Sequence, residues 1–329
     1  MAEANQDMET RHRAALYLLL GAVLLLTVRA AWSLAHRGRR PAFLPPAGES
    51  LEGAARLRFA VVGDSRGNSI VFEEILASIK REGVGLIIHT GDIVKRCTEQ
   101  QYEWVLHEPD EEHLPVPFCA VPGNHHVTEA SANRCLLYGR AFGPRRYWFS
   151  YGETLFVALG CCDEECRPED LEWLDRTLGR HRSSYTDCCV FTHFPPYDPR
   201  RRGGRPRPGS AGEKMMKVLQ KHNVTALFAG HIHAYLEGDV DGIPLYITGG
   251  AGADPDEPVG PFHYLLCTVE PSGKLEVRKV DVPDRINYDY PEYAFRAKFP
   301  AGASFVGVGI LLLAGIFLGK DAFLSTRGD

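Results

Sequence analysis

Five short apolar runs in the 329-residue chain each lead into a side chain that can donate an electron pair. Val61-Val62-Gly63 leads into Asp64, and Leu86-Ile87-Ile88-His89-Thr90-Gly91 into Asp92. Val121-Pro122-Gly123 leads into Asn124 and His125, Phe191-Thr192 into His193, and Ala229-Gly230 into His231-Ile232-His233. The carboxyl end of a buried strand is where open α/β sheets place their ligand sites. A glycine before the donor permits the tight turn that such a position needs. Taken singly, a Gly-Asp pair is an ordinary turn, Asn124 an Asx turn, and each histidine a core or surface residue. Five blocks with Asp92 in the middle make a constellation of oxygen and imidazole donors. That mixture suits Mn, Fe or Zn better than Ca or Mg.

In this order the blocks resemble the signature of the calcineurin-like metallophosphoesterase superfamily, D-x-H, G-D, G-N-H-D/E, H and G-H-x-H. The resemblance spans about residues 57–282, and four of the five blocks match at their ligand residues. It implies an α/β fold of two mixed β-sheets packed face to face with flanking helices. It implies hydrolysis of a phosphate mono- or diester by metal-activated hydroxide at two divalent or trivalent ions, Mn, Fe or Zn. By the same resemblance Asp64 and His233 match ligands of a first metal, Asn124, His193 and His231 match ligands of a second, and Asp92 matches the bridging carboxylate. His125 matches the residue over the substrate, where an imidazole can stabilise the transition state or protonate the leaving oxygen. Asp92 and His125 are thus the expected catalytic residues, and Asn124 also borders the substrate.

Two blocks depart from the pattern. The first reads Asp64-Ser65-Arg66, and a guanidinium cannot deprotonate to become a metal ligand. Arg66 is therefore expected either to bind the substrate phosphate or to turn onto a carboxylate such as Glu73 or Glu74. The third block ends in His126 where the family has Asp or Glu, so an orienting group for His125 must come from elsewhere.

The elements that must position these residues are legible in the same stretch. Leu57–Val62, Gly85–Ile88, Pro117–Val121, Cys189–Thr192 and Ala226–Ala229 read as buried strands. Ile70, Phe72, Ile75, Leu76 and Ile79 recur with helical spacing over 69–81, and helices are expected over 99–106 and from Pro168. Tyr147–Tyr151 and Thr154–Leu159 flank Gly152-Glu153 as a hairpin. The remainder to Val282 is β-rich.

Outside this domain the chain is organised by two apolar runs. Residues 14–35, after a polar tail 1–13, are long enough to span a bilayer, with a cleaved signal peptide as the alternative. Residues 302–319 form a second span, with a C-terminal core helix as the alternative. Stretches 36–56 and 283–301 read as linkers and 320–329 as a tail. A membrane-anchored protein with its catalytic domain outside the cytoplasm is the expectation, although Arg37, Arg39 and Arg40 outnumber Arg11 and Arg13 in the opposite sense. The expected partners are the bilayer and a phosphate ester, a lipid or other membrane-associated ester being one option beside nucleotide, protein and sugar phosphates. The net charge of −5 gives no support for a nucleic-acid binder. The nine cysteines lack a Cys-x-x-Cys pair, which argues against a zinc ribbon. Disulfides in an oxidising compartment and buried free thiols both remain open for them. The basic run Pro199–Gly209 reads either as an anion-attracting overhang on the site or as a solvated loop. A binding or scaffold protein with a decayed metal site is the competing reading of the whole chain, and a metal-dependent hydrolase of other substrates is the next.

Overall fold

The computed structural model describes residues 57–282 except 100, 103–104, 106–115, 128–134, 162–165, 202–203, 257–260 and 271–273, together with Gly21, Leu24, Thr27, Gly48 and Ser50–Leu51. The chain divides into two units, one of Arg40–Tyr293 and one gathering Met1–Arg39 with Ala294–Asp329. Among the described residues no helix is long and apolar enough to cross a membrane. The two apolar runs lie outside them, apart from Gly21, Leu24 and Thr27, which are helical.

The larger unit holds two mixed sheets. In chain order its first elements are β1 (Ser50–Leu51), β2 (Leu57–Val62), α1 (Ser69–Glu82), β3 (Leu86–His89), β4 (Phe118–Ala120) and α2 (Leu136–Phe142). Then come β5 (Arg146–Tyr151), β6 (Thr154–Leu159), α3 (Pro168–His181), β7 (Asp187–Thr192), α4 (Ala211–Lys221) and β8 (Ala226–Ala229). The chain closes with β9 (Tyr235–Val240), β10 (Ile243–Thr248), β11 (His263–Val269) and β12 (Leu275–Asp281). One sheet has the order β12-β11-β2-β3-β4, the other β1-β5-β6-β7-β8-β10-β9. The parallel neighbours β2, β3 and β4 of the first sheet, and β7 and β8 of the second, carry the five expected donor blocks at their carboxyl ends.

The stretch read as a linker contributes β1, which pairs with β5. Helix α4 was not apparent from sequence because its apolar stripe is short. Its buried face is Met215, Met216 and Leu219, and Ser210 caps it by accepting the Glu213 N–H. The short α2 buries Tyr138 and Phe142 and is too brief to show a helical period in the sequence. Glu99, Gln101, Tyr102 and Val105 are helical, in line with the helix expected over 99–106.

Between the sheets lies an aromatic core. Phe149, Phe156, Phe191 and Phe228 come from four successive strands of one sheet and stack at 5.0, 5.9 and 5.0 Å between ring centroids. Phe59 of β2 meets three of those rings edge-on, at 5.3 to 6.5 Å. Face-to-edge contact places the positive rim of one ring on the negative face of another, which favours this arrangement. The outer faces are covered by helices. α1 and α2 cover the first sheet through Phe72, Ile75, Leu76 and Tyr138. α3 and α4 cover the second through Leu171, Leu174, Met216 and Leu219.

Both readings of the cysteines apply, to different residues. Cys161 and Cys166 form a disulfide across the β6–α3 connection, and Cys135 is disulfide-bonded as well. Cys97, Cys119, Cys188, Cys189 and Cys267 are free. Cys119, Cys189 and Cys267 lie in the inter-sheet core, where burial pushes their thiols up.

Because Phe59 joins the sheets through three ring contacts, we predict that Phe59→Ala lowers the unfolding free energy by about 3–5 kcal/mol. Denaturant unfolding measures this, and a loss under about 1 kcal/mol would show that the sheets do not depend on that side chain.

Candidate active site

The donor blocks converge where the carboxyl ends of both sets of parallel strands meet. Asp64, Asp92 and His193 are fully buried, and each offers a ligand atom within 4.8 Å of the other two. The backbone there is unusual. Asp64, Arg66, Asp92 and His231 have φ of 60, 48, 53 and 69°, the left-handed region that costs a non-glycine residue of order 1–3 kcal/mol. Four such residues persist together only where surrounding bonds over-determine the turns. The neighbouring glycines serve close approach. A Cβ on Gly123 would lie 2.2 Å from Asp92 Oδ1, and one on Gly230 would lie 2.6 Å from Asp64 Oδ2.

Hydrogen-bond direction fixes which electron pairs are free. His193 Nδ1 lies 2.9 Å from the Thr90 carbonyl, which can only accept, so the proton is on Nδ1 and Nε2 is bare in the neutral ring. That bare nitrogen faces Asn124 Oδ1 at 3.1 Å and Asp92 Oδ2 at 3.6 Å. His233 repeats the arrangement, donating Nδ1–H to the Asp254 carbonyl at 2.8 Å and turning Nε2 towards Asp64 Oδ1 at 3.5 Å. Asp64 Oδ1, His233 Nε2 and His231 Nδ1 are buried and have no hydrogen-bond partner among the described residues. Unpartnered polar atoms at such density are what a cation centre requires. The residues therefore fit a metal group. Asp64, Asp92 and His193 form the nucleus, with Asn124 and His233 at its edges, while the His231 ring lies beside His193 at 5.2 Å between centroids.

The carboxylates are also held by main-chain donors. Asp92 Oδ1 accepts the His125 N–H at 2.9 Å, and Asp64 Oδ2 accepts the His231 N–H at 2.9 Å. Burial alone would raise the Asp92 pKa, but His193, His126, His125 and this N–H outweigh it and hold the carboxyl below its ordinary range. Burial would likewise lower His233, and Asp64 reverses the sign and raises it. His231 is pushed down, by burial first and then by His193.

Arg66 does not turn onto Glu73 or Glu74 as one reading had it. Its Nη2 lies 3.5 Å from Asp92 Oδ2, at the mouth of the site and a quarter exposed. The group that orients His125 is a backbone carbonyl, since His125 Nδ1 lies 2.7 Å from Lys95 O. His125 Nε2 then points back towards Asp92 Oδ2 at 3.7 Å. The basic run after His193 is largely neutralised by its own surroundings. Arg200 pairs with Asp198 at 3.0 Å and approaches Asp256, and Arg205 pairs with Asp241 at 2.9 Å. Sequence reasoning missed His89, which is wholly buried beside the site. Its position as the last residue of β3 gave no sign of a role.

The fold and this donor set are those of a metallophosphoesterase. The family model for calcineurin-like phosphoesterases matches residues 57–235, more than half of the chain, and the chain belongs to that family. Among solved structures, a purple acid phosphatase from yellow lupin (Lupinus luteus) seeds superposes with a TM-score of 0.54 at 18% identity, covering 73% of this chain and 53% of that one. The chain thus corresponds to about half the length of the lupin enzyme. A dimetal phosphatase from Danio rerio superposes with a TM-score of 0.51 at 16% identity, covering 69% of this chain and 99% of that one. At these identities the likeness shows the fold. No curated protein sequence matches the chain.

Since a Cβ on Gly123 would also lie 2.8 Å from the His193 ring, we predict that Gly123→Ala displaces Asp92 or His193 and weakens Mn or Zn binding by roughly 10–100-fold. Calorimetric metal titration checks it, and unchanged affinity would mean the loop gives way without disturbing either donor.

Proposed function

We propose that the chain is a metal-dependent phosphoesterase that hydrolyses a phosphate mono- or diester at a two-metal centre held by Asp64, Asp92, Asn124, His193, His231 and His233. The observation that carries this reading is the meeting of Asp64, Asp92 and His193, each offering a ligand atom within 4.8 Å of the other two, with Asn124 Oδ1 3.1 Å from His193 Nε2. When bound, Mn, Fe or Zn ions would supply a hydroxide at neutral pH and neutralise the phosphoryl oxygens. Asp92 is central to the donor set and would help hold both ions. His125 is steered by the Lys95 carbonyl, is about a quarter exposed and holds Nε2 3.7 Å from Asp92 Oδ2; as an imidazolium it can pass the Nε2 proton to the leaving oxygen. Arg66 offers its guanidinium to the substrate phosphate, which it can pair through two parallel hydrogen bonds. A lupin purple acid phosphatase and a zebrafish dimetal phosphatase on the same fold support phosphate-ester chemistry.

One observation favours a second reading. Arg66 occupies the place of a family metal ligand and sits against Asp92, as it would in a scaffold protein whose centre has decayed. We also propose that the apolar runs at 14–35 and 302–319 anchor the protein in a bilayer, with the phosphoesterase domain on an oxidising, extracytoplasmic side. The Cys161–Cys166 disulfide supports that side. Cleavage of the domain by protease only from the cytoplasmic face of sealed vesicles would reverse it.

Metal analysis of the purified protein with a panel of aryl phosphates, nucleotides and phospholipids tests the main reading. Asp92→Asn is predicted to abolish metal loading and turnover together. His125→Ala is predicted to lower the rate by roughly 10²–10⁴ with metal content unchanged. Arg66→Ala is predicted to raise KM by about 10-fold or more, as loss of a charged hydrogen bond does. A metal-free wild type inert on every ester would favour the scaffold instead.

A further inference from the structure

Asp92 lies between two amides that bond to buried histidines. Gly91 N–H points at His89 Nδ1, 3.1 Å away, and Ile93 N–H points at His126 Nε2, 2.9 Å away. A backbone N–H can only donate, so both ring nitrogens accept and the proton of each neutral ring sits on the other nitrogen. In His89 that is Nε2, which faces Ser65 Oγ at 3.2 Å. Ser65 then has its own proton for the Ile93 carbonyl, also at 3.2 Å. The path runs unbroken from Gly91 through His89, Ser65 and Ile93 to His126, and so encircles Asp92. The loop is closed from the other side by Arg66 N–H on Asp92 O at 2.9 Å and Gly67 N–H on Ile93 O at 2.8 Å.

Both rings are themselves fixed. His89 is wholly buried, with Phe72 edge-on at 5.8 Å and Phe118 at 6.2 Å. His126 is wholly buried between Tyr102 at 5.7 Å and Tyr138 at 5.4 Å. Among the described residues no hydrogen bond joins either ring to a side chain of the donor cluster, and neither ring faces solvent. Asp92 meanwhile holds a left-handed φ of 53°, which relaxes unless its flanking amides are satisfied in place.

We propose that His89 and His126 are a matched pair of positioning residues that clamp the Asp92 turn, each by one defined ring nitrogen. This rests on the phosphoesterase reading only for its kinetic consequence. The accepting atoms differ, so the amides that can replace them differ. Asparagine presents its oxygen near Nδ1 and glutamine near Nε2. His89→Asn and His126→Gln therefore keep the acceptor, whereas His89→Gln and His126→Asn misplace it and His89→Leu and His126→Leu remove it. His126 thus takes a place in the third block that has nothing to do with orienting His125.

The test has two independent arms. Long-range ¹H–¹⁵N spectra of the imidazoles in the full-length wild-type protein should show His89 protonated at Nε2 and His126 at Nδ1. The opposite tautomer on either ring overturns the clamp whatever the protein catalyses. In the second arm, Mn titration and p-nitrophenyl phosphate hydrolysis are compared across the six variants, with thermal unfolding alongside. His89→Asn and His126→Gln should stay within about 3-fold of wild type in Mn affinity. The misplaced-acceptor and leucine variants should lose roughly 10–100-fold, as supports of metal ligands do, while remaining folded. Equal losses in matched and mismatched amides, or leucine variants with wild-type Mn affinity, overturn the proposal. A wild type that shows the stated tautomers but neither binds Mn nor hydrolyses the ester fails the phosphoesterase reading and leaves the clamp standing.

Discussion

Two carboxylates, Asp64 and Asp92, are wholly withdrawn from water at one point in the molecule. Withdrawing a carboxylate costs several kcal/mol unless an opposite charge or a set of donors compensates it. What surrounds this pair is arranged to do so. The N–H groups of His125 and His231 donate to one oxygen of each, and Arg66 approaches the second oxygen of Asp92 from the open side. The remaining neighbours, His193 Nε2, His233 Nε2 and Asn124 Oδ1, are acceptors that make the electron density worse. Such a cluster is stable as a binding site for cations and poor as a structural element, and that asymmetry is the physical basis of the functional reading.

The fold brings the carboxylates together without using them as glue. The sheets are held by stacked phenylalanines with Phe59 set edge-on among them, an apolar contact indifferent to the state of the site. The parallel strands then deliver their carboxyl ends to a common edge, Asp64 and Asp92 from one sheet and His193 and His231 from the other. Each of these donors sits one to three residues past its strand, where the chain must turn. The left-handed turns and the glycines at 123 and 230 are the local means of making that turn within contact distance of an oxygen.

Much of this was legible in the sequence because strand-end donors leave a local trace, an apolar run, a glycine and then a polar residue. Asp64, Asp92, Asn124 and His231 have that trace, His193 follows its apolar run without a glycine, His233 comes two residues after His231, and the folded chain brings them to one place. What had no local trace was not read. The chain distance from His89 to Ser65, or from Ile93 to His126, carries no periodic signal, and a histidine accepting a distant amide resembles any buried ring. His126 reads as the loss of a carboxylate until its Nε2 is seen on Ile93 N–H. The spacing of Cys161, Cys162 and Cys166 could not assign a disulfide, since pairing depends on how the β6–α3 connection folds back. The arginines of 199–209 look like an anion trap in sequence because two of their partners lie far off in the chain, Asp241 at 36 residues from Arg205 and Asp256 at 56 from Arg200.

In the proposed function Arg66, which stands where the family signature has a histidine, would have two roles carried by different atoms. The main-chain N–H bonds to the Asp92 carbonyl and braces the turn, and any residue at that place would do the same. The guanidinium is attached to that fixed point by a flexible stem and lies 3.5 Å from Asp92 Oδ2, longer than a charged hydrogen bond of 2.7–2.9 Å. It is therefore loosely held by the carboxylate it approaches. A dication on Asp92 would compete for the same oxygen and, being both smaller and doubly charged, would win at any realistic local dielectric. The guanidinium then has no reason to remain on Asp92, and its quarter exposure gives it room to move outward. A phosphate ester bound there, as proposed, would bring a compensating charge within its reach.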